Sequence, residues 1–501
     1  MAQEQPDLIS MADIARLAGQ SRATVGNWKA RNPEDFPPER GRSSRGPLYD
    51  RTEVTDWLTA TKRLDERPPE VVAVWQLADD LRDGMTTEEA MQMGLVLLAI
   101  MATSSKEWQT IRTSRADRID AAIRAVVHSR LPYADELLPR AALPHASVAR
   151  AVETLSTMDS SMVAAMTDAL LEQAAHTLGY RGGEYLTPAS IRRLIVALTG
   201  PTGTVYNPAS GIGQLLTQVA AESEAVTFVA GQEINQRVWA MAQLNLAIHG
   251  VHAEVALGDV FTADAFPDLR ADRVVAVPPW GLKLSILNKL HDDPRWVFGE
   301  PGPNDGNAAW IQHCLYHLAD GGRAVLVLPN GVLFESGRSG RMRQRMVKAG
   351  LLDAVIALPL GLFPGAGVAG SILIFVKGRP SVQGKPAPTL MIDVSEMSED
   401  HATRSPRLPD STIDRIVSQY RDWSEQKKFP ATESAAVASF DELAVNDFVL
   451  APARYLALSQ PSVTLNEAIK KRSELATDFN RLVQASADAD KQLAEILEIR
   501  R

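Results

Sequence analysis

The run Thr204-Val205-Tyr206-Asn207-Pro208-Ala209-Ser210-Gly211-Ile212-Gly213-Gln214-Leu215-Leu216 constrains this chain more than any other. β-Branched and aromatic residues over 204–206 predict a strand. Gly211 and Gly213 then let the backbone turn sharply and come close to a bound molecule. One glycine pair is weak, so its neighbours decide the matter. Phe228-Val229-Ala230-Gly231-Gln232-Glu233 ends a second strand in a carboxylate, the position that accepts hydrogen bonds from ribose hydroxyls in nucleotide-binding α/β units. Gly258-Asp259-Val260-Phe261 follows a short strand, Ala253–Leu257, and would set a further carboxylate beside an adenine ring. Arg273-Val274-Val275-Ala276-Val277 is another strand, ending in the loop Pro278-Pro279-Trp280. Strands alternating with helical segments over 177–400 predict an α/β, Rossmann-like core.

With 501 residues, the chain is too long for a single hydrophobic core. Composition and punctuation divide it into 8–60, a small helical and strand module; 68–176, all helical; 177–400, the α/β core; 401–463, a connecting region; and 464–501, an amphipathic helix. The single cysteine, Cys314, excludes an internal disulfide framework and a multi-cysteine metal site, which is the pattern of a reducing cytoplasm. Residues 1–7 carry no basic, apolar leader, and the longest apolar run, 94–102, is too short to span a bilayer. Histidine clusters, metal-ligand spacings and a P-loop are absent, so neither a metal nor ATP-driven translocation is expected. His313 and Cys314, among apolar neighbours on a predicted helix, read as structural. The net charge of −9 neither requires nor forbids a nucleic-acid partner, because phosphate contacts need only a local basic patch.

In the first segment, Met11–Gln20 reads as a helix and turn, and Ser21 is a candidate cap for a second helix through Trp28. Ile14, Leu17, Val25 and Trp28 would form a small core. Arg22, Thr24, Asn27 and Lys29 would face outward, as a recognition helix faces a major groove. The basic loop holding Arg40, Arg42 and Arg45 leads into a strand and then a third helix, Thr52–Leu58. This order resembles the winged helix-turn-helix of MerR-like regulators and phage excisionases, which implies DNA contact; a docking module of the same shape is the alternative. In the second segment, Val74, Leu77, Ala78 and Leu81, then Met91, Leu95 and Leu98, recur at helical spacing.

The central series is similar to the adenine-N6 DNA methylases of the modification-subunit group in type I restriction systems. Asn207–Leu216 resembles that group's first motif, Glu233 and Asp259 its two cofactor carboxylates, and Val277–Trp280 its Asn-Pro-Pro-aromatic motif. Tyr185, Thr187 and Pro188 resemble the Tyr-Thr-Pro segment that closes over the methionine end of the cofactor. Asn307–His313, Gly321–Phe334 and Ala357–Phe363 follow the same group in order. The resemblance implies S-adenosyl-L-methionine as cofactor, bound by Tyr185, Thr187, Pro188, Asn207, Ala209, Gly211, Gly213, Glu233 and Asp259. It also implies a catalytic loop of Val277, Pro278, Pro279 and Trp280, the last placed to stack on an extruded base. Trp280 read alone is equally an ordinary core aromatic.

Two positions depart from the group. Its mechanism uses an asparagine where this chain has Val277, whose side chain accepts no hydrogen bond, and an aspartate where this chain has Asn207. Two readings stay open: a site-specific DNA adenine methyltransferase, or a catalytically weakened protein that binds cofactor and DNA to recruit or regulate partners. Methylation of another nucleic acid or small molecule is a third. Ala468, Leu475, Leu482, Ala489 and Ile496 recur every seven residues, a seam that seeks a partner helix. The resemblance makes a specificity-type subunit one candidate; self-association and packing on the chain's own core are the others.

Overall fold

The computed structural model describes residues 8–18, 22–31, 33–43, 46–61, 68–178, 186–283, 292–363, 367–397, 407–426 and 431–459, with scattered positions between 472 and 486. The N-terminal part runs β1 (Leu8–Ser10), α1 (Met11–Leu17), α2 (Arg22–Arg31), β2 (Glu39–Ser43), β3 (Gly46–Asp50) and α3 (Arg51–Ala60). The strands form an antiparallel sheet in the order β1-β3-β2. The basic stretch expected as a loop is therefore partly strand β2, paired with β3. Ile14, Val25, Tyr49, Val54 and Leu58 are fully buried, whereas Leu17 and Trp28 only flank that core. Asp50 caps α3, accepting from the Thr52 amide at 2.9 Å.

Six helices follow: α4 (Pro69–Arg82), α5 (Thr87–Thr103), α6 (Ser105–Thr113), α7 (Ile119–Arg130), α8 (His145–Ser156) and α9 (Val163–Leu178). Helix α5 starts from a Thr86–Glu89 capping box and is buried all round from Ala90 to Met101. An all-round apolar helix of this kind must be the centre of a bundle; α4, α6 and α9 pack against it, and α8 packs on α4.

The remainder is α10 (Ala189–Thr199), β4 (Gly203–Asn207), α11 (Gln214–Glu222), β5 (Val226–Glu233), α12 (Gln236–Ile248), β6 (Glu254–Leu257), β7 (Ala271–Ala276), α13 (Gly306–Tyr316), β8 (Leu318–Pro329), α14 (Gly337–Lys348), β9 (Leu352–Ala357), β10 (Gly370–Val376), β11 (Thr389–Asp393), α15 (Asp410–Gln426), β12 (Ala435–Ala438), α16 (Phe440–Val445) and α17 (Pro452–Ser459). Nine strands form one sheet, ordered β12-β11-β9-β10-β8-β7-β4-β5-β6. Strands β6, β5, β4, β7 and β8 run parallel, while β10 lies antiparallel between β8 and β9. Such a sheet is buried on both faces, which explains the continuous apolar runs Ala324–Leu328 and Ile372–Phe375. The fold is the α/β, Rossmann-like one expected. Strand β4 is flanked by β5 on one side and β7 on the other, so the chain reverses its direction of travel there. Loops leaving the carboxyl ends of β4 and its neighbours open a crevice at this point.

Helix α12 belongs to two environments. Val238, Ala240, Met241 and Leu244 lie in one apolar cluster with Leu77, Leu95 and Leu98 of α4 and α5, and Ile212 of the glycine turn joins the same cluster. No helix among the described residues is long and apolar enough to cross a membrane.

Candidate cofactor and substrate site

A cavity of about 420 Å³ opens at the carboxyl ends of β4, β5, β6 and β7. The loop after β4 contributes Asn207, Ala209 and Gly211; β5 ends in Glu233; Asp259 follows β6; Val277 and Pro279 follow β7; Thr187 closes in from the segment before α10. Residues far apart in the chain, from Thr187 to Trp310, thus converge on one space.

The wall is built by short polar ties. Asn207 is buried, and its Oδ1 accepts the Ala209 amide at 3.1 Å, bending the chain into the turn. An aspartate there would make the same bond, so the asparagine preserves the turn and removes only the charge. Gly211 and Gly213 have φ of 54° and 76°, the left-handed region that glycine adopts without penalty. Glu233 Oε2 accepts the Gly211 amide at 3.0 Å and Oε1 the Asn235 amide at 2.8 Å. A carboxylate has about four acceptor positions, so bracing the turn and facing the cavity are compatible in one residue. Asp259 accepts the Phe261 amide at 2.9 Å and the Thr262 hydroxyl at 3.1 Å, holding its own turn in shape.

Other expected residues stand back from the cavity lining. Pro188 starts α10, its carbonyl accepting the Ile191 and Arg192 amides, each at 3.0 Å. Gly213 shapes the turn without lining the cavity, and Pro278 is buried behind it. Trp280 packs on Phe363, ring centres 4.7 Å apart, and directs Nε1 to the Val327 carbonyl at 3.4 Å. A Cβ on Gly370 would lie 2.8 Å from Phe363 and 3.1 Å from Trp280, so the absence of a side chain there makes room for the pair. Trp280 is thus half-buried against the sheet edge. Tyr185 lies outside the described residues.

Sequence reading missed several wall residues. Gln214 and Trp310 line the cavity, and both are nearly buried. The Gln214 amide and Trp310 Nε1 have no hydrogen-bond partner among the described residues. A leucine-rich helix start gave no hint of the first, and Trp310 was legible only as part of a motif. The N-terminal cations are mostly engaged within the protein. Lys29 Nζ donates to Glu39 at 2.9 Å and to Tyr49 Oη at 2.8 Å; Arg40 Nε donates to Glu53 at 3.0 Å; Arg42 lies 3.7 Å from Glu39. The tyrosine and carboxylate beside Lys29 raise its pKa above the ordinary lysine value. Asn27 is exposed and Thr24 half-buried, while Arg45 and the Arg22 side chain lie outside the described residues.

A mainly parallel sheet with a glycine turn and two strand-end carboxylates at its point of reversal defines a Rossmann-like protein of the S-adenosylmethionine-dependent methyltransferase type. The chain belongs to the N-6 DNA methylase family, which it matches over residues 159–462. It is 31% identical to the type I restriction enzyme HindI methylase subunit of Haemophilus influenzae over 342 residues, 64% of this chain and 75% of that one. Its fold is shared with the methyltransferase subunit of a type I restriction-modification system from Streptococcus thermophilus, with a TM-score of 0.57, 22% identity, and coverage of 89% and 90% of the two chains. A chain from a structure of type I R-M system assembly matches with a TM-score of 0.62, 17% identity, and coverage of 87% and 100%.

Proposed function

We propose that this protein binds S-adenosyl-L-methionine in the cavity and transfers its methyl group to N6 of adenine in DNA, as a modification subunit of type I character. The observation that carries this reading is the convergence of Asn207, Glu233, Asp259 and the Val277–Trp280 loop from four neighbouring strands. The residues suit the cofactor. Two carboxylates and the unpartnered Gln214 amide offer acceptors and a donor to a ligand with a cationic amino-acid end and ribose hydroxyls.

The cofactor supplies a methyl group on a sulfonium, already activated toward a nucleophile. Glu233 holds the ribose while bracing the glycine turn; Asp259 faces the adenosine; Asn207 and Thr187 border the methionine end. The Pro278-Pro279 loop sets the distance between target amine and methyl group. Val277 offers that amine no side-chain acceptor, so its backbone carbonyl and that of Pro278 are left to hold an amino hydrogen. We therefore expect slow transfer. The N-terminal three helices and β2–β3 hairpin act as a winged helix-turn-helix that contacts DNA, and the 464–501 arm engages a specificity-type subunit or a second copy. Incubating the full chain with DNA and methyl-labelled cofactor tests the reading: label on adenine N6 supports it. Binding of both ligands with no transfer, in wild type and in Val277→Asn alike, favours the recruiting or regulatory role that Val277 motivates. Failure to bind the cofactor rejects both.

A further inference from the structure

Behind the cavity wall, Arg295 spends its whole guanidinium on the protein's interior. Nη1 donates to the Val260 carbonyl at 2.6 Å, Nη2 to the Phe261 carbonyl at 2.9 Å, and Nε to Asp293 Oδ1 at 2.8 Å. Nη1 also lies 3.0 Å from His313 Nδ1. A guanidinium only donates, so Nδ1 is the acceptor, and the ring proton sits on Nε2, 3.2 Å from Tyr206 Oη. Burial, with His317 and Arg295 nearby, holds the His313 imidazole well below its ordinary pKa and therefore neutral.

Both ends of this chain of contacts are roots of the cavity. Tyr206 immediately precedes Asn207 on β4, while Val260 and Phe261 follow Asp259 and line the wall themselves. We infer that Arg295 is a positioning residue for the cofactor: through the two carbonyls it fixes the loop that carries Asp259, and through His313 and Tyr206 it ties that loop to the glycine turn. Asp264, His313 and His317 bring ligand atoms within 4.8 Å of one another, a spacing suited to a metal ion. Arg295 Nη1, 3.0 Å from His313 and 3.9 Å from Asp264, already supplies the positive charge at that place. The cluster is thus read as a guanidinium clamp.

Lysine keeps the charge but is a point donor that cannot span carbonyls, carboxylate and imidazole together. The inference rests on the cavity taking S-adenosyl-L-methionine, so wild-type titration with that cofactor comes first, and failure there counts against the proposed function alone. Given wild-type binding, Arg295→Lys is expected to weaken cofactor affinity by about tenfold or more while DNA affinity without cofactor stays unchanged. Wild-type cofactor affinity in Arg295→Lys overturns the inference. So does a parallel loss of DNA affinity, which would mark a role in general stability. Should that variant not fold, His313 decides. His313→Gln keeps an acceptor for Arg295 and a donor for Tyr206, and is expected to bind within about threefold of wild type, whereas His313→Leu loses about tenfold. Equal affinities in these two variants also overturn it.

Discussion

The Glu233 carboxylate accepts the backbone amide of Gly211 at 3.0 Å, so the end of one strand holds the turn that leaves its neighbour. The residue braces the turn, and in the proposed function it also accepts from the ligand. Glu233→Ala removes both, and titration calorimetry should show cofactor binding weakened by about 1–3 kcal/mol, the usual cost of unpairing buried polar groups. Glu233→Gln retains one acceptor oxygen and should lose less.

Val277 is half-buried on the cavity wall with no acceptor in its side chain. A preorganised polar group at a reacting centre is worth about 3–4 kcal/mol, or roughly a hundred- to a thousandfold in rate. Val277→Asn should accordingly accelerate methyl transfer to DNA, measured with labelled cofactor, while leaving cofactor affinity near wild type. Robust activity in the unmodified protein would instead show that another group supplies the acceptor.

Gly370→Ala tests the Trp280–Phe363 pair. The new methyl would sit 2.8 Å from one ring and 3.1 Å from the other, so both aromatics must shift. Overpacking of this size costs about 1–3 kcal/mol. Thermal denaturation should show the loss, and Trp280 fluorescence should change with it.

The N-terminal hairpin gives a salt-dependence test. Neutralising Arg40, Arg42 and Arg45 should weaken DNA binding and lower the slope of log affinity against log salt by about one for each phosphate that is no longer neutralised. Since Arg40 is paired with Glu53, Glu53→Gln should release it and strengthen binding. A slope unmoved by the triple change would assign the module to protein docking.

His249 on α12 lies 3.4 Å from Asp168 on α9, its Nδ1 2.9 Å from the Asn245 carbonyl. Burial pushes its pKa down, but Asp168 and that carbonyl outweigh burial and hold it raised. The associated stability is fully present below the unfolded value of about 6.5 and is lost as pH rises through the higher folded value. Urea unfolding at mildly acidic and mildly alkaline pH should show wild type losing more stability on alkalinisation than Asp168→Asn.

Much of the cavity could be read from residue order, because the pieces of wall that follow strands carry local signatures. The glycines announce a turn, and Glu233 and Asp259 sit where strands end. Arg295 and Gln214 carry no such signature. Their roles depend on which distant backbone faces them, a property of packing and not of spacing. The antiparallel insertion of β10 between β8 and β9 was equally silent, since a strand buried on both faces reads as an apolar run whatever its direction. Trp280, set after two prolines, reads from sequence as a base-stacking surface or as a core aromatic; residue order did not reveal that Phe363 and the gap at Gly370 seat its ring.

Helix α12 presents Val238 to the cavity while the same residue, with Met241 and Leu244, is packed into the helical bundle around α5. A ligand that fills the cavity consequently leans on a residue that the bundle also packs against. Cut free of residues 68–178, the sheet portion would present a greasy flank to water and clump, however intact its glycine turn. Any shortened version of this protein built for crystallography or engineering should therefore carry the bundle with it.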